Sequence, residues 1–334
     1  MSLQLHGVGH FHPEAEITNQ FIEELDIDTT SDWIVDRVGI RTRRTSLPLD
    51  YIRETRNRDT RAAADAINYS TAQMGARAAE LAIERSGIPR ERIGLVISGS
   101  SAPTHSCPAE ASFVAGELGL EVPAYDLSSA CSTFVTQLCN LSMMDPAKAP
   151  EFVLTVATEA LTTVVDYTDR GNCVLFGDGA SAAVVSTRVP GRAQILGLSV
   201  ESDPASAHKV VIPRTGYFAQ DGRAVQMFAI RKTRDGLDTL REMVREEGKP
   251  ERQLHFIGHQ ANMRVLEQVL KRCDIEPGLH HANVDIRGNT GGASAPSVLS
   301  MQWDKFTPRD DVALVVVGGG LTWARALVRF EEQG

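Results

Sequence analysis

Four runs of the chain are apolar almost without interruption: "RIGLVISGSS", "EFVLTVATEAL", "NCVLFGDGASAAVVST" and "DVALVVVGGG". A strand with one wet face alternates polar and apolar residues, so a run without alternation reads as a strand covered on both faces. Helical spacing lies between the runs, in "TAQMGARAAELAIERSGI", "CPAEASFVAGELGL", "RDGLDTLREMVREEG" and "ANMRVLEQVLKRCDI". The first of these ends in Ser-Gly, a usual helix stop. Buried strands alternating with helices predict an α/β fold of stacked layers. The order of elements up to about Val185 is echoed after about Ala193, which predicts two similar halves, residues 1–185 and 186–334. No polar linker separates them, so they are expected to share one core.

A chain of 334 residues, 42% of them hydrophobic, can bury such a core without staples. Its 34 Lys and Arg against 43 Asp and Glu give a net charge of −9, a field that repels nucleic acid and anionic membrane. An anionic substrate must then be met by local basic groups. The longest apolar run, "VALVVVGGGL", is too short for a bilayer span of roughly 20 residues. "MSLQLHGVGHFHPEAE" has no basic segment leading into an apolar one, so a secretory signal is not predicted and the expected location is cytoplasmic. The five cysteines, Cys107, Cys131, Cys139, Cys173 and Cys273, are odd in number and widely scattered, with no C-x-x-C pair. Neither a disulfide framework nor a zinc site follows. Cys139 and Cys173 read as packing residues.

Cys131 is the outlier. In "YDLSSACSTFVTQL" a β-prone lead and small residues turn the chain into a helix, placing the thiol at the first turn. Unpaired N–H groups and the positive end of the helix dipole favour a thiolate there, with a pKa lowered from about 8.5 to roughly 3.5–7.5. The other reading is a small buried hydrophobe. "LHFIGHQANMRVLEQVL" puts His259 at an equivalent turn, into a helix expected to begin near Ala261. Asn289 opens the small-residue loop "RGNTGGASAPSVLS", and "VVVGGGLTWARALV" places glycines after a strand, where backbone N–H groups can approach a ligand. Singly, such a His is more often a cap and such an Asn a turn residue. Jointly, a thiol, an imidazole, a carboxamide and a glycine-rich backbone are the parts of a thiol acyl-transfer site. All four fall at strand-end turns, where α/β folds collect function.

Competing motifs fail. There is no G-x-x-x-x-G-K-[ST] and no G-x-S-x-G, and Trp323 breaks a dinucleotide glycine pattern in "GGGLTW". His6, His10 and His12 alternate along a strand without an acidic or thiol partner at ligand spacing, so no metal site is predicted. The charged stretch from Arg43 to Asn68 reads as a solvated helix and loop, or as a flap over a site.

Taken together, "GVGHFHPEAEITNQFIEEL", "SDWIVDRVGIRTRR", "SACSTF", "DYTDRGNCVLFGDGASAAVV", "GHQANMRV", "GNTGGASAPSVL" and "GGGLTWARALV" resemble the β-ketoacyl-acyl-carrier-protein synthase III family of the thiolase superfamily. The resemblance covers most of the chain. It implies a thiolase-like five-layered αβαβα fold of two duplicated halves, and a homodimer. It implies Cys131 as acyl-accepting nucleophile, His259 and Asn289 as its partners, and the N–H groups of Cys131 and Gly320 as an oxyanion hole. The implied substrates are acyl thioesters of coenzyme A or of acyl carrier protein, with a malonyl thioester as acceptor and no cofactor. By the same match Trp33 and Arg170 sandwich the coenzyme adenine, Arg37 meets a phosphate and Asn262 lines the pantetheine channel. Arg264, Lys271 and Arg272 form a basic face toward an acidic carrier or the coenzyme phosphates.

Three departures from the family pattern stand out. Val38 replaces a usual Thr, Cys107 occupies the place of an aromatic gate to the acyl pocket, and the charged excursion after Arg44 is longer than usual. They suit a specialised synthase with a remodelled entrance at least as well as an initiator of fatty-acid synthesis. Alternatives are an acyl transfer to an amine, alcohol or β-keto thioester without decarboxylation, and a partner subunit of a heteromer.

Overall fold

The computed structural model describes residues 3–248 and 252–332. Nine strands form one continuous sheet: β1 (Leu3–Phe11), β2 (Ile93–Gly99), β3 (Ala124–Asp126), β4 (Phe152–Glu159), β5 (Gly179–Ser186), β6 (Ala193–Ser202), β7 (Gln253–Gly258), β8 (Asp310–Gly318) and β9 (Thr322–Phe330). Their order is β7-β8-β9-β6-β1-β5-β4-β2-β3. On one side of the β1/β6 junction the order runs first, last, fourth, second, third. The other side repeats it, with the His280 segment bridging Phe256 of β7 in the place of the third strand. The halves meet through a short antiparallel pairing of Leu3–Leu5 with Ala193–Ile195.

Helices explain why the strands carry no polar alternation. The helices α1 (Ser31–Val38), α2 (Thr71–Ser86), α3 (Glu110–Glu117), α4 (Thr133–Ser142), α5 (Gly222–Glu246), α6 (Met263–Arg272) and α7 (Ser294–Gln302) carry most of the helical structure. Of these, α2 and α3 cover the outer face of the first half, and α5 covers that of the second with α6 against it. Between the halves, α4 touches β4, β6 and β9 while α7 touches β1, β5 and β7. Outer helices, sheet, central helices, sheet and outer helices make the five layers that the resemblance implies. Strands β4, β5 and β8 are buried at every residue. Glycines let the layers close: a Cβ at Gly7 or Gly9 would fall 2.3 Å from the Ala82 carbonyl oxygen or 2.0 Å from that of Ala78, so α2 lies directly on β1. The Ser70–Gln73 capping box starts α2, and Gly87, left-handed at φ 65°, ends it.

Two expectations shift. Helix α5 begins at Gly222 instead of near Arg234, because only a narrow face of it (Ala229, Ile230, Thr233, Gly236, Leu237, Leu240) is buried and the rest reads as polar. In "NCVLFGDGASAAVVST" only Gly179–Ser186 is strand; the buried Cys173, Val174 and Leu175 lie in turns, and the buried Phe176 makes an isolated parallel bridge with Asn289. Among the described residues no helix is long and apolar enough to cross a membrane.

Candidate active site

The carboxyl ends of β3, β7 and β8 open on a cavity of about 940 Å³ whose wall includes Cys131, His259, Asn289, Gly318 and Gly319. Cys131 is presented by a tight turn in which Ala130 takes a left-handed φ of 51°, a conformation that costs a non-glycine residue energy. The turn is held by Ser132 N donating to Ser129 O at 3.2 Å and Thr133 N donating to Ala130 O at 3.1 Å. Helix α4 begins only at Thr133, with Ser132 as its cap, so Cys131 stands just outside the helix. Its thiol is not activated at rest: burial pushes it up to about 12, the Glu159 carboxylate pushes the same way, and the residue's own backbone N–H opposes both. The expected lowering is therefore overturned by desolvation and a like charge.

His259 follows β7 in an extended turn, and α6 begins at Met263 instead of near Ala261. Burial holds its imidazole down at about 4, so it is neutral near pH 7. Its Nδ1 is buried without a partner. An orphaned N–H is rarer in folded proteins than an orphaned acceptor, which places the proton on Nε2 and makes that nitrogen a donor. Asn289 is buried; its N–H donates to Leu175 O at 2.8 Å and its Oδ1 accepts from Gly291 N at 2.9 Å. That leaves the carboxamide N–H groups for a substrate.

The glycine turn differs from expectation by position. Gly318 and Gly319 line the cavity, whereas Gly320, at φ 131°, turns into its own hairpin, where a Cβ would meet Thr322 Cγ2 at 2.8 Å. A Cβ at Gly318 would fall 2.9 Å from Cys131 N, so it is Gly318 that the nucleophile turn packs against. Ser132 Oγ and Thr322 Oγ1, 2.8 Å apart, tie the two turns together.

The cavity mouth is formed by Trp33, Arg37, Arg170, Asn262 and Arg264, all foreseen. Their arrangement differs from expectation. The Arg170 guanidinium lies 5.1 Å from the centre of the Trp33 ring, and its Nη1 is 2.8 Å from Asp28 Oδ2. A base between them needs ~7 Å, two van der Waals contacts of about 3.5 Å each, so here the pair stacks on itself. Arg264 donates to Asp36 O at 3.1 Å and to Val35 O at 3.0 Å, joining α6 to α1. Asn262 Oδ1 caps α6 by accepting from Val265 N at 2.9 Å. Lys271 and Arg272 are exposed on α6 outside the cavity wall, and Cys107 is exposed and likewise outside it. None of residues 43–68 lines the cavity, so within this chain the flap reading gives way to short helices packed on the flank. Val38 does line it, beside Val174, Leu175, Phe176 and Phe218.

Glu159, Phe218 and Arg223 were not foreseen; the last two line the cavity. Glu159 ends β4 fully buried and joins two turns: Oε2 accepts from Ser101 N at 2.9 Å, and Oε1 from Ser101 Oγ and Gly292 N, each at 3.1 Å. Burial raises it to about 7. A carboxylate closing the otherwise uncharged "FVLTVATE" was the signal available.

Comparison with known proteins agrees with the geometry. The family model described as 3-oxoacyl-[acyl-carrier-protein (ACP)] synthase III matches residues 125–204, and its C-terminal counterpart residues 245–330. The β-ketoacyl-[acyl-carrier-protein] synthase III of Sulfurimonas denitrificans is 30% identical, with 97% of each chain covered. The crystal structure of 3-oxoacyl-[acyl-carrier-protein] synthase III from Aquifex aeolicus superposes with a TM-score of 0.84 at 28% identity, over 98% of this chain and 100% of that one. The priming β-ketosynthase of the R1128 polyketide pathway does so with a TM-score of 0.79 at 26% identity, over 99% and 97%. With this fold and these relatives the chain is an acyltransferase of the thiolase-like class. It belongs to the 3-oxoacyl-[acyl-carrier-protein] synthase III family.

Proposed function

We propose that the chain catalyses a decarboxylative Claisen condensation of thioesters, with Cys131 as nucleophile and His259 and Asn289 as donors to the acceptor's carbonyl oxygen. The observation that carries this reading is the convergence of Cys131, His259, Asn289 and the Gly318–Gly319 turn on one cavity. Cys131 sulfur attacks an acyl thioester, the carbon–sulfur bond to the donor breaks, and the thiol proton leaves with the departing thiol. The N–H groups of Cys131 and of the Gly318–Gly319 turn receive the transient oxyanion; a donor so placed is worth about 10²–10³ in rate. A malonyl thioester then loses carbon dioxide, and its enolate oxygen is held by His259 Nε2–H and the Asn289 amide. The enolate carbon attacks the acyl carbon and Cys131 leaves as thiolate, giving a β-ketoacyl thioester. No cofactor enters the scheme.

The apolar wall at Val38, Val174, Leu175 and Phe218 suits an acyl chain. Arg37, Arg170 and Arg223 at the mouth suit a coenzyme A or carrier-protein phosphate in a chain of net charge −9. We further propose the division into halves 1–185 and 186–334, which the repeated strand order supports, a cytoplasmic homodimer, and a place in fatty-acid or specialised metabolite synthesis. The likeness to a polyketide priming ketosynthase and the apolar Val38 favour the latter. Intact-mass measurement after incubation with a panel of acyl-coenzyme A and acyl-carrier donors tests the first half-reaction. Wild type gains one acyl mass and Cys131→Ala gains none; equal loading of both would refute the assignment of the nucleophile.

A further inference from the structure

A second cavity, of about 410 Å³, opens at the amino ends of β7 and β8, the opposite ends of the strands that lead to His259 and Gly318. Its back wall is a hydrogen-bonded chain of three titratable side chains. Asp310 Oδ2 accepts from Thr307 N at 2.7 Å and Thr307 Oγ1 at 2.9 Å, and its Oδ1 lies 3.2 Å from His255 Nε2. His255 Nδ1 in turn lies 3.0 Å from His281 Nε2. A carboxylate only accepts, so His255 carries a proton on Nε2, and in the uncharged ring Nδ1 keeps a lone pair. His281 must then donate from Nε2, which leaves the lone pair on its Nδ1. That nitrogen has no partner and is not among the enclosed atoms, so it is open to the cavity. Phe306 meets both rings edge-on, at 5.2 Å and 5.5 Å, and fixes their planes.

The same cavity is lined by Lys305 and Arg309, exposed and without a side-chain hydrogen bond or ion pair among the described residues. The cavity thus presents two unpaired cations beside one acceptor nitrogen whose tautomer is fixed from behind. Burial lowers His281 to about 4, with His255, His280 and Lys305 adding to the effect and Asp310 opposing it, so the ring is neutral near pH 7. Among the described residues no three metal-ligating side chains converge, and both His255 nitrogens are already engaged.

We propose that this cavity binds a hydrogen-phosphate group, its charged oxygens on Lys305 and Arg309 and its P–O–H donating to His281 Nδ1. The group is either free phosphate or the end of a phosphate monoester. Sulfate has the charge and shape but no proton to donate, so its oxygen would face the lone pair. This inference stands apart from the acyl-transfer chemistry.

The test uses the whole protein with ¹⁵N-labelled histidine, the His281 signals being identified by their loss in His281→Gln. Inorganic phosphate, glycerol 3-phosphate and sulfate are titrated separately. Phosphate or the monoester is expected to move the His281 nitrogens saturably, whichever binds tighter naming the source, with sulfate about tenfold weaker or worse. Lys305→Ala/Arg309→Ala, a pair of surface changes, is expected to weaken phosphate about tenfold or more. No saturable shift, an equal response to sulfate, or phosphate binding untouched by the double substitution would overturn the proposal.

Discussion

Gly318 lies against the backbone of Cys131 so closely that a single added carbon would fall 2.9 Å from the Cys131 nitrogen. In the proposed acyl transfer the end of β8 borders the oxyanion that forms on the substrate. Gly318→Ala is expected to slow acylation of Cys131 by about 10²-fold or more, the worth of one displaced oxyanion donor. Circular dichroism should stay native, and the acylation rate from intact mass is the readout.

Glu159 opposes ionisation of Cys131, so removing its charge should ease it. Glu159→Gln deletes the negative charge and keeps the shape and one acceptor oxygen, able to accept from Ser101 Oγ and Gly292 N, while the acceptor for Ser101 N is lost. Alkylation of Cys131 by iodoacetamide, followed against pH, should have a lower midpoint in Glu159→Gln than in wild type, whose thiol burial and Glu159 push up to about 12. An unchanged midpoint would leave burial alone responsible.

Acid should unfold the protein by way of its buried imidazoles. His10, His259, His280 and His281 are each held down from 6.5 to about 4, chiefly by burial. Unfolded, they take up protons around 6.5; folded, they do not until about 4. Stability from these groups is therefore full above 6.5 and falls as pH drops toward about 4. Glu159, raised from 4.5 to about 7, works the other way over its own window, as do Glu110 and Asp178, raised by burial, while His6 and His12, also lowered by burial, side with the four imidazoles. Thermal melts should show a lower midpoint at about pH 5 than at about pH 7, with a smaller drop in His280→Gln.

At the cavity mouth, Arg170 must leave Trp33 before a flat base can enter between them. On the proposed reading Arg170 meets the coenzyme and not the reacting atoms, so Arg170→Ala should raise KM for acyl-coenzyme A several-fold with little change in kcat. Trp33 fluorescence should change on coenzyme A binding in wild type. Arg264→Ala should behave differently, lowering the melting temperature by an amount equivalent to about 1 kcal/mol through loss of its bonds to the Val35 and Asp36 carbonyls.

Sequence alone made the layers legible because fully buried strands cannot alternate: "FVLTVATE" and "DDVALVVVG" declare two covered faces in one dimension. It also brought Cys131 and His259 to strand ends; Asn289, expected at another, instead follows the short helix Val284–Arg287 and bridges Phe176. Energetics at those ends were not legible. The thiol depends on a carboxylate 28 positions along the chain (159 − 131 = 28) and on enclosure by turns from both halves, which no local pattern encodes. Gly318, Gly319 and Gly320 are indistinguishable as letters; the register of the β8–β9 hairpin decides which of them meets Cys131. Arg264 read as part of a basic face; its ion pair with Glu267, three positions on, was legible, but its bonds to carbonyls of a distant helix end were not.

The most direct test of the condensing reading starts from enzyme already acylated at Cys131. A malonyl thioester is added in a single turnover, and loss of the acyl mass is followed together with released carbon dioxide, in wild type and Asn289→Ala. The account predicts that wild type discharges its acyl group in step with carbon dioxide, and that Asn289→Ala keeps the acyl group while still loading normally. Discharge without carbon dioxide, or an Asn289→Ala enzyme that discharges at the wild-type rate, would contradict it.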